Sequence, residues 1–588
     1  MPFVRPALSA PGVYVQEVPS GKHHITGVST SVTAFLGRTS RGPVATPTTI
    51  RNFSEFSKIF GGLRADSPLT YCVQDFFQNG GTEALVTRLF EGGVDGATAT
   101  VAGGAHPVPD GPLSPAASAA KDALEAANAA LSSASADLAS AQKAAAGSDT
   151  KGSNQKVATA SKAVANAQAK VDEQETILAN HTGGLTLNLK ASSAGAWGNR
   201  LSYSTNTVGI NDTVKSRFKT ASWDAEDIFN LVLHEDLGNG RTAKETFANV
   251  SVNPNAGAQG LAHTLEVKSN AAHLAEDGRK VSTGSDSGPI SVGTYQAALD
   301  GLTRVDIFNL LCIPADTVDG DTEPSVYTAA VALCEKSRAT LIVDSPVAWE
   351  DDPSAVSGES FSADVGVTQA ATAARHAAVY FPRLNRPDPL RGNYSFRSPA
   401  CGAVAGVYSR TDATRGVWKA PAGVEAGLLG CDSASYKLTD GENGILNQQG
   451  VNCIRSFGSG PVLWGARTMR GSDQLSDEYQ YIPVRRLADY IEETLQRNTR
   501  WAVFEPNDDP LWTNLRLTVN NFMRDLFRQG AFAGSAAASS FFVLCDGTTT
   551  SQDDIDAGIV NIVVGYAPLK PAEFVVLYLQ QMAGGSGE

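Results

Sequence analysis

Val305-Asp-Ile-Phe-Asn-Leu-Leu-Cys-Ile-Pro314, then Val326 to Ser337, then Ala339-Thr-Leu-Ile-Val-Asp344 decide the fold class. Two short, almost wholly apolar runs flank a helical stretch. Short runs that do not alternate suit strands covered on both faces. With a helix between them they make a βαβ unit, expected to be parallel and right-handed. The same grammar extends upstream. Val32-Thr-Ala-Phe-Leu-Gly37 and Ala84-Leu-Val-Thr-Arg-Leu-Phe90 read as strands. Ser67 to Gly80 reads as a helix with Pro68 at its first position and a closing glycine. Tyr295 to Leu302 is a further helix. Phe229-Asn-Leu-Val-Leu-His-Glu235 and Thr246-Phe-Ala-Asn-Val-Ser-Val252 flank Gly238-Asn-Gly240 as a β-hairpin. The predicted class is mixed α/β, in several domains.

Residues 113–182 break this pattern. Alanine, serine and lysine dominate, and aromatic residues vanish. Leu124, Leu131 and Leu138 recur every seven residues, as do Val157, Val164, Val171 and Leu178. Gly147-Ser-Asp-Thr-Lys-Gly-Ser-Asn154 lies between the series as a turn. Ser114 and Pro115 supply a cap and a first helical residue. The spacing predicts an antiparallel helical hairpin with an alanine-lined seam. A loose Ala/Ser linker is the other reading of such a composition, but a linker has no need of two registered heptad series.

The chain has 588 residues, too many for one core, and 42% of them are hydrophobic, enough for several. The formal net charge of −14 argues against a general nucleic-acid binder. Seven scattered cysteines form no CxxC pair and read as buried thiols from a reducing compartment. The first residues lack the apolar core of a secretory signal, and no run of eighteen apolar residues predicts a membrane span. HExxH, GxSxG and Walker A motifs are absent. Ser20-Gly21-Lys22 lacks the earlier glycine of a phosphate loop. Gly238-Asn-Gly240 fits a hairpin better than a dinucleotide loop, since no amphipathic helix follows. His23 and His24 sit in a polar loop, and Asp316, Asp319 and Asp321 lack the glycine and glutamate of a calcium loop. No catalytic residue, metal ligand or cofactor is assigned.

Both chain ends carry isolated strands. Val13, Tyr14, Val15, Gln16, Glu17 and Val18 alternate between Pro11 and Pro19. Phe574, Val575, Val576, Leu577, Tyr578 and Leu579 follow Pro571 and are almost wholly apolar. A lone strand is not stable in water, so each must join a sheet, in its own chain or in a neighbour's. In the predicted helix Pro510 to Gln529, capped by Asp509 and Pro510, Leu515, Val519, Phe522 and Leu526 form an apolar stripe. Arg516, Asn520, Arg524 and Arg528 recur every four residues on another face. In an acidic chain that stripe points either to an acidic partner or to a solvated face or intramolecular ion pairs. Arg410, Asp412 and Arg415 near Trp418, and Arg467 near Trp464, are expected to form buried ion pairs and stacks.

Several segments resemble the contractile-tail sheath family. They are Gly406-Val-Tyr-Ser-Arg-Thr-Asp412, Arg415-Gly-Val-Trp-Lys-Ala-Pro421, Leu446-Asn-Gln-Gln-Gly-Val-Asn-Cys-Ile-Arg455, Trp464-Gly-Ala-Arg-Thr468, Tyr481-Ile-Pro-Val-Arg-Arg486, Phe504-Glu-Pro-Asn507, Leu511-Trp512 and Pro571-Ala-Glu-Phe574. Upstream, Pro11-Gly-Val-Tyr-Val15, Phe76-Phe-Gln-Asn-Gly-Gly81 and Ala196-Trp-Gly-Asn199 also fit. Residues 113–182 lie outside the pattern and look like an insertion. The resemblance implies a non-enzymatic homopolymer of stacked six-subunit rings around an inner tube, ended by baseplate and cap proteins. It implies an extended, metastable state that shortens and drives the tube through a target envelope. It implies that the two terminal strands enter sheets of neighbouring subunits, and the basic stripe is then expected to face the tube. Such a subunit would assemble in the cytoplasm and end in a virion tail or a released extracellular particle; the compact start, Pro11 to Gly37, leans toward the latter. With no fuel-binding motif, the energy would be stored at assembly. The alternative class is a soluble α/β enzyme or a surface adhesin.

The expected organisation is an arm at 1–25, an outer α/β domain from 26–112 and 183–350, the hairpin at 113–182, and a core domain at 351–588. That core would be built from both chain ends.

Overall fold

The computed structural model describes residues 24–93, 98–100, 102–103, 115–145, 151–182, 187, 189–220, 228–238, 241–251, 258–269, 271–274, 283–356, 358–458, 460–574 and 576. Its centre is an eight-stranded sheet. In spatial order the strands are Pro461–Leu463, Asn452–Ser456, Ala377–Phe381, Thr340–Asp344, Leu310–Cys312, Thr33–Gly37, Ala84–Arg88 and Thr48–Ile50. The six inner strands are parallel, and the short strand at each edge is antiparallel. The predicted βαβ unit is present: Leu310–Cys312 and Thr340–Asp344 pair in parallel, joined through helix Pro324–Ser337.

Alternation along each inner strand feeds two cores. Leu36, Leu311, Leu341, Val343, Val379 and Phe381 point to one face, beneath helices Val292–Leu302 and Pro324–Ser337. Phe35, Leu310, Cys312, Ile342, Ala378 and Tyr380 point to the other, beneath helices Phe53–Phe60, Pro68–Gln78 and Cys401–Arg415. On that second face two helices touch backbone to backbone. A Cβ on Gly402 would stand 2.1 Å from the Cys72 carbonyl oxygen, and one on Gly406 would stand 2.6 Å from that of Phe76. The glycines are what let helix Cys401–Arg415 lie flat on helix Pro68–Gln78.

This sheet corrects the expected domain plan at one point. The boundary placed at residue 350 runs between strands of one sheet, since Thr340–Asp344 and Ala377–Phe381 are hydrogen-bonded neighbours. Parallel pairing joins segments that are remote in sequence, so composition along the chain does not mark it. The unit with its own separate core lies at about residues 98–274. It holds a four-stranded sheet with the long hairpin Phe229–Gly238 and Arg241–Val250, closed over Trp197, Leu231, Leu233, Phe247 and Leu265. Its joint with the central sheet adds a small apolar contact of Ala194 with Phe90 and Val44 to a set of polar ones. Arg88 is 1% exposed and donates to the carbonyls of Gly42 and Ala194, while Arg41 pairs with Glu235 at 2.7 Å. Burial pulls the Arg88 guanidinium down to about 10.

From this unit springs the predicted hairpin, helices Pro115–Ala145 and Lys151–Thr182. At 31 and 32 residues the arms run about 46 Å at 1.5 Å per residue. Leu124, Leu131 and Leu138 meet Val157, Val164 and Val171 along a seam drawn out of solvent, with Ala127, Ala134, Ala160 and Ala167 filling the alternate turns. Leu178 falls within the second arm, and residues 146–150 between the arms lie outside the described residues. Each arm packs chiefly on the other. At the root, Ala191 N–H donates to the Ala99 carbonyl at 2.9 Å, so the chain segments on either side of the insertion are already paired.

The C-terminal region adds helices Ile482–Asn498 and Asp509–Arg528 and a two-stranded ribbon, Phe541–Leu544 with Val563–Tyr566. The second helix is capped by Asp508, whose carboxylate accepts from Leu511 N–H, one residue earlier than the sequence reading placed the cap. Residues 25–30 run along helix Ile482–Asn498. Ile25 enters its apolar core, and Val28 N–H reaches Thr494 Oγ1.

Two outcomes follow for folding. Gly402→Ala should cost about 3 kcal/mol in urea unfolding, because the obstacle is backbone, whereas Gly441→Ala, with open space around it, should be nearly neutral. Replacing 104–186 by a short Gly-Ser link should remove helical circular dichroism and leave the unfolding midpoint of the remainder within a few degrees, because the seam is self-contained.

Candidate assembly surface

Two strands of four residues make a marginal sheet. The ribbon stands because one face is clamped: Phe541 is 7% exposed and packs on Phe532 and Phe527, and Tyr566 packs on Phe532 at 5.6 Å between ring centres. The opposite face is open. Phe542, Leu544 and Val563 are each more than 40% exposed. Phe542 lies over Gly565, where a Cβ would collide with its ring at 2.3 Å. Among the described residues each ribbon strand pairs only with the other, so both outer edges present free backbone groups.

The described residues nearest each end of the chain converge on this region. Ile25 shares a core with Phe532, Phe541 and Val519, and the chain after the ribbon continues through a bridge between Phe532 and Pro568. It then forms one wall of a cleft of about 870 Å³ lined by Trp418, Trp464, Leu569, Pro571 and Phe574. Phe574 and Val576 are 76% and 67% exposed. Of the predicted terminal strands, only these two residues are described. Val13, Tyr14, Val15, Gln16, Glu17, Val18, Val575, Leu577, Tyr578 and Leu579 lie outside the described residues.

A set of buried guanidiniums fixes the frame. Arg486 clamps Asp412 through two hydrogen bonds of 2.9 and 2.6 Å, donates to the Thr30 carbonyl, and lies over Tyr408. Asp412 therefore pairs with Arg486 and not with the nearby Arg410 or Arg415 expected from sequence. Arg410 instead donates to the carbonyls of Asn79 and Gly427, and Arg415 makes an exposed pair with Glu425. Arg386 pairs with Asp75 at 2.6 Å and lies over Tyr71. Burial pushes the Asp75 carboxyl up to about 7, with Arg386 pulling against it. Arg467 does not stack on Trp464, which packs on Phe457 at 4.4 Å; it binds Glu573 and Asp473. Burial alone would lower its pKa, but the hydrogen bonds to those carboxylates hold it above the usual range.

The basic stripe divides. Leu515, Val519, Phe522 and Leu526 are buried as predicted. Arg516 is half-buried and turned toward Asp546 at 3.6 Å, and Asn520 is half-buried. Arg524 and Arg528 are exposed, and Arg528 has a loose pair with Asp525 at 3.4 Å. Only the C-terminal half of the stripe is a free cationic surface.

Six of the cysteines are buried and Cys431 is half-buried; all are free thiols, with Cys72 and Cys401 at 3.9 Å between sulfurs. Among the described residues no cluster of three or more His, Cys, Asp or Glu could hold a metal ion, and no helix is long and apolar enough to cross a membrane. The sequence reading missed Glu573 as the partner of Arg467 and the ribbon as a sheet with open edges. The Pro571-Ala-Glu-Phe574 motif was the available signal for the first, and the alternating Phe541–Leu544 run for the second.

Comparison with known proteins bears on this architecture. Residues 288–469 match the family model of the phage tail sheath protein central domain, and residues 475–581 match that of the phage tail sheath C-terminal domain. The tail sheath protein of Burkholderia phage BcepMu is 25% identical over 277 residues, covering 45% of this chain and 56% of that protein. The tail sheath protein of Vibrio phage KVP40 is 24% identical over 200 residues, 32% of this chain and 28% of that one. The chain thus spans less than two thirds of the length of these relatives. Over 98% of its length it is similar in fold to the anti-feeding prophage helical sheath in its contracted state, with a TM-score of 0.51 and 21% identity, covering all of that chain. It is similar likewise to the contracted sheath of the extracellular contractile injection system PVC, with a TM-score of 0.50 and 18% identity, covering 99% of that chain. The two adjoining models, which span the ribbon and the partners of Arg467 and Arg486, place residues 288–469 and 475–581 in the phage tail sheath family as its central and C-terminal domains.

Proposed function

We propose that this protein is the sheath subunit of a contractile, tube-enclosing particle, with a structural and not a catalytic role. Subunits polymerise as stacked six-fold rings around an inner tube, between a baseplate and a terminal cap, in an extended state that later shortens. The particle is a virion tail or a released extracellular machine assembled in the cytoplasm. The observation that carries the reading is the ribbon Phe541–Leu544/Val563–Tyr566, with two free edges and an apolar open face beside both chain ends.

A strand added to each edge would satisfy the free backbone groups and cover Phe542, Leu544 and Val563. The chain holds two segments with the right pattern, Val13 to Val18 and Phe574 to Leu579. In this proposal they are donated by adjacent subunits, so that each ribbon becomes the middle of a four-stranded sheet drawn from three chains. Main-chain hydrogen bonds then hold the mesh while the rigid bodies around the eight-stranded sheet rotate. The exposed cations Arg524 and Arg528 face an acidic tube. Contacts of that kind are individually weak, about 0.2–1 kcal/mol, which suits a grip that must let go.

Electron microscopy of the purified chain should show ordered cylinders; monodisperse globules would overturn the reading in favour of an enzyme or adhesin. Removing residues 1–18 or 574–588 should abolish the cylinders while circular dichroism of the subunit stays unchanged, and cylinders that persist after both truncations count against strand donation. Arg524→Glu combined with Arg528→Glu should yield mostly tube-free cylinders when sheath and tube are co-expressed; Arg516 is left intact because it serves Asp546. Normal filling of the double variant would remove these arginines from the tube contact.

A further inference from the structure

We infer that Glu573, held by Arg467, is the anchor that fixes where the C-terminal arm leaves the subunit and through which tension on that arm enters the central sheet. The inference rests on the proposal that the arm is donated to a neighbour. All three nitrogens of the Arg467 guanidinium are engaged. Its side chain is 3% exposed. Nε and Nη2 donate to the two carboxylate oxygens of Glu573 at 2.8 and 2.5 Å, and Nη1 donates to Asp473 at 2.7 Å and to the carbonyls of Asn447 and Gly471 at 3.1 Å. Glu573 is 14% exposed, yet the next residue, Phe574, is 76% exposed. Glu573 is thus the drawn-in residue between an exposed Ala572 and an exposed Phe574.

The other side of the anchor is the sheet. The Arg467 N–H donates to the Asn452 side-chain oxygen at 2.7 Å, and the Asn452 amide donates to the Arg467 carbonyl at 2.8 Å and to that of Val379 at 3.1 Å. Asn452 and Val379 lie on adjacent strands of the eight-stranded sheet. Two residues on, Met469 N–H donates to the Ala377 carbonyl at 2.7 Å, and Arg467 forms a bridge with Tyr481, where helix Ile482–Asn498 begins. An arm pulled at Phe574 therefore loads a two-pronged, charge-assisted contact, then two sheet strands, then a helix start. Planar paired hydrogen bonds between guanidinium and carboxylate are the strong, directional kind, and lysine cannot reproduce them. Pro571, two residues before Glu573, adds a stiff approach.

Glu573 and Arg467 are thus positioning residues, and the test separates their role from mere folding. Wild type, Glu573→Gln, Glu573→Asp and a chain ending at Glu573 are compared. The Gln variant should keep its unfolding midpoint within a few degrees, yet give cylinders at least fivefold shorter after shear; Asp should recover part of that length. In chymotrypsin digests wild type should be cut after Phe574 and spared at Leu569, and the Gln variant should be cut at Leu569. Gln cylinders as long and shear-resistant as wild type, with Leu569 still protected, overturn the anchor. Should the Gln variant not fold, Arg467→Lys, which keeps a cation in the site, is read by the same two measurements. If the chain ending at Glu573 itself assembles normally, it is the donation reading that fails and not the anchor chemistry.

Discussion

The molecule depends on one demand: six parallel strands, buried on both faces, must have every backbone donor and acceptor matched by a neighbouring strand. Parallel strands cannot be supplied by tight turns, so the chain must leave the sheet and return each time. The returns bring helices that cover both faces, and the sheet collects strands from residues 33 to 463. Only its two edges break the pattern, each a three-residue antiparallel strand. At one of them, Pro461–Leu463, the loop through Gly423, Ala426 and Leu428 adds further backbone bonds. The ribbon, by contrast, is far too small to stand by itself.

Around that sheet the buried charge is mostly arginine. Arg88, Arg383, Arg386, Arg467, Arg485 and Arg486 are all less than a tenth exposed, and each is matched by carbonyls or carboxylates. Burying such charges gains little over apolar packing, but removing one partner strands the other, at a cost of several kcal/mol. Their effect is to fix relative position. Arg486 ties the N-terminal segment at Thr30 to the helix bearing Asp412, and Arg88 ties the central sheet to the outer unit. These are the joints where a body that moves as a whole must not flex.

Much of this was legible in the amino-acid order, and the reasons are local. The βαβ unit showed because its strands are short apolar runs bounded by Pro314, Ser337 and Ala339, and the helical hairpin showed because heptad spacing is written in neighbouring turns. The apolar stripe Leu515–Leu526 was read correctly for the same cause. What failed was whatever depends on distant partners. The sheet crossing residue 350, the pairing of Asp412 with Arg486 seventy-odd residues away, and the capture of Arg516 by Asp546 are all set by tertiary topology. An ionisable residue announces that it needs a partner; it does not announce which. Val13 to Val18 is a local alternation and Phe574 to Leu579 a local apolar run, and neither pattern specifies its partner.

The root of the helical hairpin carries a geometric consequence. Ala99 and Ala191 already hold each other, so whatever is spliced between them hangs from a closed ring and not from an open gap. Lineages could then alter its reach by whole heptads, each pair of seven-residue additions carrying the tip about 10 Å further out with no change at the base. The stature of the projection is in that sense a matter of copy number in a repeat, independent of the machinery it stands on.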